Sequence, residues 1–158
     1  MAGYEYGDLS NWTVSYNKTD SCFKMYFEPY LKVVKKTNKN RKYYSLNGTD
    51  LSSTYGNLTH YYLYNGVELT FYGKSKYPNH IFILVDLNGE KEPNKLGRDL
   101  FYYQFSASQG LIPNGASSKS RTYLLQNGTG ACNKANNGLY CLGLIVFDGW
   151  QISKDYPW

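Results

Sequence analysis

A run of oxygen-bearing side chains in the middle of the sequence is the pattern with the clearest chemical meaning. Carboxylate and amide oxygens recur at Asp86, Asn88, Glu90 and Asp99, and Gly89 allows a sharp turn among them. Because Ca²⁺ takes about six to eight oxygen ligands, often from alternate loop positions, these residues predict a calcium site. The alternative, which the residues favour, is an Asx-turn loop whose Asp and Asn side chains accept backbone amide hydrogen bonds without metal.

The cysteines indicate a disulfide. The chain has three of them, Cys22, Cys132 and Cys141, and an odd number cannot pair completely within one chain. Cys132 and Cys141 flank a short loop rich in Asn and Gly, which is flexible enough to close. We predict that these two are bonded and that Cys22 is left over; the alternative is a pair of buried free thiols. A disulfide favours a location outside a reducing cytosol.

Patterns for catalysis are missing from the sequence. It contains no G-x-S-x-G, H-E-x-x-H or G-x-x-x-x-G-K-[ST] arrangement. Two S-x-x-K tetrapeptides occur without the S-D-N and K-T-G motifs that accompany them in acyl-transfer enzymes. We therefore predict a protein that is not an enzyme, with calcium as the one cofactor that the residues suggest.

Aromatic and amide side chains near the C-terminus indicate a contact surface. The chain has 18 tyrosines, and tyrosine offers rigid contact area while Asn and Ser offer adaptable hydrogen bonds. The alternative is that these aromatic residues simply pack along the edge of a sheet. The candidates for contact with a protein or glycan ligand are Tyr123, Asn133, Asn136, Asn137, Tyr140, Trp150, Tyr156 and Trp158.

One helix is predicted to position these residues. Apolar side chains recur at three- and four-residue steps within residues 21–36, which is typical of a helix with one buried face. Pro29 removes a backbone donor and predicts a kink or a restart there. The stripe comprises Phe23, Phe27, Tyr30, Leu31 and Val34.

The rest of the chain predicts strands. Asn-Gly is the preferred pair for a two-residue hairpin turn, and Asn65-Gly66 stands between two strand-like runs. One helix followed by antiparallel strands predicts an α+β fold, with the helix covering one face of the sheet and a loop-rich C-terminal region. The predicted strands are Tyr43–Leu46, Thr59–Tyr64, Val67–Tyr72, His80–Asp86, Asp99–Ser106 and Leu142–Phe147.

Length and charge limit the class of protein. The 158 residues predict a single domain over 1–158, with an irregular or truncated stalk region at 1–20, the helix at 21–36 and a strand-rich head at 43–158. The net charge of +5 is mild, and the one basic cluster lacks a stacking motif, so we expect no nucleic-acid partner. No apolar run approaches the ~18 residues of a membrane-spanning helix.

Four stretches of the sequence resemble a known family. D-L-N-G-E-K-E-P-N-K-L-G-R-D-L-F at 86–101 resembles the D-x-N-G-x-x-x-P-N-x-x-G-x-D-x-F segment of bacterial type IV pilin-like proteins. F-E-P-Y-L-K-V-V-K at 27–35 and G-L-I-P-N-G at 110–115 are similar to segments that flank it in that family. C-N-K-A-N-N-G-L-Y-C at 132–141, with the tail after it, resembles the family's cysteine loop and closing segment.

The resemblance implies a function. Proteins of this type, pilins and pseudopilins, are non-enzymatic structural subunits of extracellular fibres or secretion pseudopili, so the expected partners are other such subunits. Their apolar N-terminal helix is not in this sequence, and we expect membrane contact only through that missing helix, with inner-membrane anchoring before assembly at the cell surface. The alternative is a surface-displayed adhesion or ligand-binding module that uses the Tyr- and Asn-rich C-terminal loops.

Overall fold

The computed structural model describes residues 13–118 and 120–157, and its centre is one six-stranded antiparallel sheet. The strands lie in the sheet in the same order as in the chain, so each pairs with the strand before it and the strand after it. They are β1 (Val33–Thr37), β2 (His60–Leu63), β3 (Glu68–Gly73), β4 (Ile81–Asp86), β5 (Leu100–Ser106) and β6 (Gly110–Pro113).

Four of the six predicted strands are confirmed, as β2, β3, β4 and β5. The Asn65-Gly66 turn joins β2 to β3, and Tyr61 lies opposite Leu69 across that hairpin. The apolar run after His80 forms β4, which pairs along its whole length with β3 on one side and β5 on the other. Because both faces of the sheet are covered here, β4 is a nearly continuous apolar sequence rather than an alternating one.

Alternate residues of the central strands enter different clusters. Ile81 and Ile83 pack on one face with Phe71 and Phe105. Phe82 and its neighbours pack on the other face, with Tyr43, Tyr72, Leu84, Leu96 and Tyr102. A third cluster lies against Phe101 and is built by the C-terminal region, including Leu124, Cys132, Cys141 and Leu144. The C-terminal region therefore has a core of its own, packed against β5.

The predicted helix over residues 21–36 is wrong, and with it the α+β fold in which a long N-terminal helix covers the sheet. The first part of that segment forms short turns of three types: α1 (Thr19–Cys22), a π turn (Phe23–Phe27) and a 3₁₀ turn (Glu28–Tyr30). Pro29 lies in the 3₁₀ turn, and the β-branched pair after it joins β1 instead. Phe23 and Phe27, four residues apart, both pack against Phe71 of the sheet from these turns. A three- or four-residue spacing of apolar side chains is therefore compatible with such turns as well as with a continuous helix.

Two strand predictions are also wrong. The run Leu142–Phe147 belongs to α4 (Cys141–Phe147), and Tyr43–Leu46 forms only two isolated bridges, both at Tyr44. A short apolar run is consistent with a buried strand or a buried helix, and periodicity alone cannot separate them. The two remaining helices are α2 (Ser52–Tyr55) and α3 (Arg121–Gln126).

Candidate functional site

A groove of about 500 Å³ opens where β5, the turn after β6, α3 and the start of α4 meet. Tyr123 stands on α3, and Tyr140 stands immediately before α4. The described residues that line the groove are Gln104, Asn114, Gly115, Ser117, Ser118, Ser120, Tyr123 and Tyr140. This volume lies within the ~300–1,000 Å³ typical of small-ligand sites.

Asn114 fixes the floor of the groove. It is buried, and its Nδ2 donates to the Leu139 carbonyl at 2.9 Å while its Oδ1 accepts from Gln104 Nε2 at 2.6 Å. The Gly143 amide of α4 donates to the Asn114 carbonyl at 3.1 Å. A Cβ at Gly143 would lie 2.5 Å from the backbone carbon of Gly115, so only glycine lets α4 approach the turn this closely. The floor is therefore preformed.

The wall of the groove is a pair of stacked tyrosines. The ring centroids of Tyr123 and Tyr140 lie 5.9 Å apart with an interplanar angle of 27°. Tyr123 is positioned by the cap of α3, where Ser120 Oγ accepts from the Tyr123 amide at 3.3 Å. Burial, and then the neighbouring Tyr123, raises the pKa of Tyr140, so the Tyr140 phenol is a neutral hydrogen-bonding group at physiological pH.

The described part of this lining is uncharged. None of the described lining residues is acidic, basic or a thiol, so they offer amides, hydroxyls and aromatic faces. The neighbouring Arg121 is neutralised, because its guanidinium bonds Asp148 at 2.8 and 3.0 Å and Asp155 at 2.6 and 2.7 Å. That clamp also ties the C-terminal tail to α3.

The predicted disulfide is confirmed. Cys132 and Cys141 are bonded, both are buried, and their Cα atoms are 4.7 Å apart. The Cys132 amide donates to the Leu124 carbonyl at 2.8 Å. The bridge thus joins the loop that follows α3 to the first residue of α4, which comes directly after Tyr140 in the sequence. Cys22 is a buried free thiol near the sheet.

The predicted contact residues do not form one surface. Asn133 and Asn136 bond within their own loop, since Asn133 Oδ1 accepts from the Asn136 side chain at 2.8 Å, and Asn137 Oδ1 accepts from the Leu139 amide at 3.1 Å. Tyr156 is buried and donates to the Gly97 carbonyl at 2.6 Å. Trp150 is 64% exposed but does not line the groove, and Trp158 lies outside the described residues.

The predicted calcium ligands are only partly brought together. Asp99 accepts from the Asn94 amide at 2.9 Å, the Lys95 amide at 2.6 Å and the Asn88 side chain at 3.1 Å. Asp86 accepts from the Asn88 amide at 3.1 Å. These are the bonds of an Asx-turn loop. Glu90 lies apart, exposed and paired with Lys35, and among residues 13–118 and 120–157 no three His, Cys, Asp or Glu side chains form a metal-holding group.

A buried charge network stands behind this loop. The Glu68 side chain is fully buried, 3.3 Å from Arg41 Nε and 3.0 Å from His60 Nδ1, and it accepts from the Tyr43 hydroxyl. His60 Nε2 donates to the Gly56 carbonyl at 3.0 Å. A carboxylate, an imidazole and a phenol in contact could do acid–base chemistry, but a substrate cannot reach side chains that are fully buried. The network is therefore structural.

Sequence reasoning missed the groove floor and the network. The turn G-L-I-P-N-G carries a family resemblance but no signal for a groove. The Ser-rich stretch at 117–120 carries one signal, a serine that could cap the following helix. Glu68 and Thr70 stand among apolar residues of β3, and a polar pair within a buried strand is the signal for an internal hydrogen-bond network.

Comparison with known proteins places the chain in a family. A family model described as a family of unknown function, DUF6613, matches residues 1–158. The chain belongs to DUF6613. Since the DUF6613 description states no function, it leaves the pilin-like resemblance a prediction. No curated protein and no solved structure matches the chain. None of the helices among the described residues is long and apolar enough to cross a membrane.

Proposed function

We propose that this protein is a non-enzymatic, surface-displayed binding module that contacts its ligand through the groove of Tyr123 and Tyr140. The observation that carries the proposal is the combination of a preformed floor with an exposed aromatic wall. Asn114 and Gly143 hold the floor in place before any ligand arrives, while Tyr123 remains 44% exposed. Preorganisation of this kind lowers the entropic cost of binding.

The electrostatics of the groove support binding rather than catalysis. Its described lining has serine and tyrosine hydroxyls but no His, Lys, Asp, Glu or Cys that could activate one of them. Glu68 and His60 are the residue types best suited to acid–base chemistry, and both of their side chains are fully buried. The Cys132–Cys141 disulfide, which suits an oxidising compartment, supports display outside the cytosol.

Retention on native surfaces tests this proposal. Labelled protein is applied to intact cells of the native host and of the species that share its habitat, and the retained fraction is measured. We expect the wild type to be retained and Tyr123→Ala to lose retention by about tenfold, as for an aromatic anchor at a binding site. Trp150→Ala is the matched control, because Trp150 is also an exposed aromatic residue but lies outside the groove. Equal retention of wild type and Tyr123→Ala would refute the proposal.

A second candidate function is the structural subunit of a type IV pilus-like fibre or pseudopilus. One observation favours it: three stretches that carry the pilin-like resemblance meet at Gly97. A Cβ at Gly97, where φ is +78°, would lie 2.6 Å from Cys141 Sγ, and the Gly97 carbonyl accepts from Tyr156. The motif loop, the cysteine loop and the closing tail thus form one packed unit.

Shear fractionation of native cells tests the second candidate. Antibody against this chain should detect it in sheared surface fibres, and deletion of the host's prepilin peptidase should abolish that signal. Detection only in the culture medium or the cytosol would contradict a fibre subunit. Contact between subunits is not expected through the sheet edges, because β1 carries Lys35 and Lys36 and β6 ends at Pro113.

A further inference from the structure

We infer that the ligand of the groove is an uncharged glycan; this inference rests on the proposed binding function and gives it a ligand class. A pyranose ring presents apolar C–H groups on its faces and hydroxyls around its rim. A site for it needs an aromatic face together with neutral donors and acceptors, and the groove brings both together within one cavity.

The aromatic element is available for stacking. Tyr123 and Tyr140 stack with their rings 27° from parallel, and Tyr123 remains 44% exposed beside its partner. The electron-rich face of an aromatic ring attracts the partly positive C–H groups of a sugar. Because the stack holds each ring against the other, neither loses much conformational freedom when a ligand packs on Tyr123.

The polar element has hydrogen-bonding capacity left. Gln104 uses its Nε2 atom on Asn114, and no described residue donates to its Oε1 atom. Ser117 is exposed at the groove and bonds to no described residue through its hydroxyl. Amide and hydroxyl groups both accept and donate, as a sugar hydroxyl does, so they pair with it without desolvating a charge.

The lining separates a neutral glycan from other ligand classes. An acidic sugar, a phosphate or a nucleic acid calls for Lys or Arg, and none of the described lining residues is basic, while Arg121 beside them is held by Asp148 and Asp155. A protein interface also uses tyrosine, but its buried centre is usually apolar, and the described lining has no Leu, Ile, Val, Met or Phe. Neutral hydroxyls are the ligand groups that the described lining matches best.

Titration of the ¹⁵N-labelled protein with defined oligosaccharides tests the inference. The neutral probes are cellohexaose, maltohexaose and chitohexaose, and the acidic probes are sialyllactose and a heparin hexasaccharide. We expect at least one neutral probe to shift the amide signals of Gln104, Gly115 and Tyr123, and the acidic probes to leave those signals in place. Tyr123→Ala should weaken the neutral binding about tenfold, with Trp150→Ala unchanged. The spectrum of Tyr123→Ala without ligand shows whether the variant is folded.

The outcomes separate the ligand class from the binding function. If no neutral probe binds, and retention on cells survives periodate oxidation of surface glycans but is lost after protease treatment, the ligand is a protein: the glycan inference fails and the proposed function stands. If an acidic probe binds more tightly than the neutral ones, the inference also fails. If retention on cells does not depend on Tyr123, the proposed function itself fails, and a neutral probe bound at the groove would then be without biological meaning.

Discussion

Two polar clusters of this protein differ in whether their hydrogen-bonding groups are already paired with one another. Around Glu68, donors and acceptors are directed at one another beneath the surface, and Arg41, Tyr43 and His60 all contact one carboxylate. Around Tyr123 the polar groups are uncharged, and those of Gln104 and Ser117 still face the groove. Charge that is buried and paired holds a fold together, whereas neutral groups that are partly unpaired beside an exposed ring can recognise a ligand.

Removing the carboxylate of the buried network should have the largest effect on stability. We expect Glu68→Ala to lower the free energy of unfolding by about 3–5 kcal/mol, because it leaves Arg41 buried without its partner. The measurement is denaturant unfolding followed by circular dichroism. Glu90→Ala is the matched control, since Glu90 is an exposed acid, and it should change the midpoint little. Similar midpoints for the two variants would contradict a structural role for the network.

The disulfide should give the next largest effect. Replacing both Cys132 and Cys141 by Ala should cost about 2–3 kcal/mol of stability, because the unfolded chain regains freedom. A reductant should lower the unfolding midpoint of the wild type and leave that of the double variant unchanged. Alkylation of both thiols in a non-reduced digest of the native protein would show that the bond is absent.

Asp86 should make stability depend on pH. Burial, together with the nearby carboxylates of Asp99 and Glu68, raises the pKa of Asp86 from 3.8 to about 7. The folded state therefore holds a proton that the unfolded state releases, so stability should fall by roughly 1–3 kcal/mol as pH rises from about 4 to about 7. Asp86→Asn should flatten this profile and be the more stable protein at pH 8. Wild-type stability that does not fall relative to that of Asp86→Asn across this window would contradict the assignment.

The smallest effect on stability should come from the groove itself. Tyr123→Ala should lower the free energy of unfolding by only about 0.5–1.5 kcal/mol, the contribution of one aromatic pair at a half-exposed position. The same variant should nevertheless lose ligand retention. The free energy of unfolding and the ligand retention should be measured on one preparation of this variant. A large loss of stability would mean that Tyr123 stabilises the fold as Glu68 does.

The sheet could be predicted where the sequence carries local signals. Asn65-Gly66 specifies its turn by backbone geometry, and the apolar run after His80 can only be satisfied in the interior. The 21–36 segment and Leu142–Phe147 were assigned wrongly because short apolar stretches fit both periodicities, and only tertiary packing decides between them.

The site was predictable only in its aromatic part. Tyr123 and Tyr140 stand out by residue type, but their stacking depends on the approach of α3 to α4. The Cys132–Cys141 bridge and the Asn114 hydrogen bond to Leu139 fix that approach, and the second of these joins residues 25 apart in the sequence. The sequence around Gln104 does not predict that it lines the groove, because its position there follows from the pairing of β5 with β6. Residue type alone cannot distinguish an amide that bonds within its loop from one that contacts a ligand. The loop amides in question are Asn133, Asn136 and Asn137.

Retention of the Tyr123→Ala variant on native cell surfaces, measured against the wild type and Trp150→Ala, is the most direct test of the groove as a binding site. We predict that the wild type and Trp150→Ala are retained equally. The retained fraction of Tyr123→Ala should be about tenfold lower, although the variant remains folded. Retention of Tyr123→Ala at the wild-type level, or its loss in Trp150→Ala instead, would contradict it.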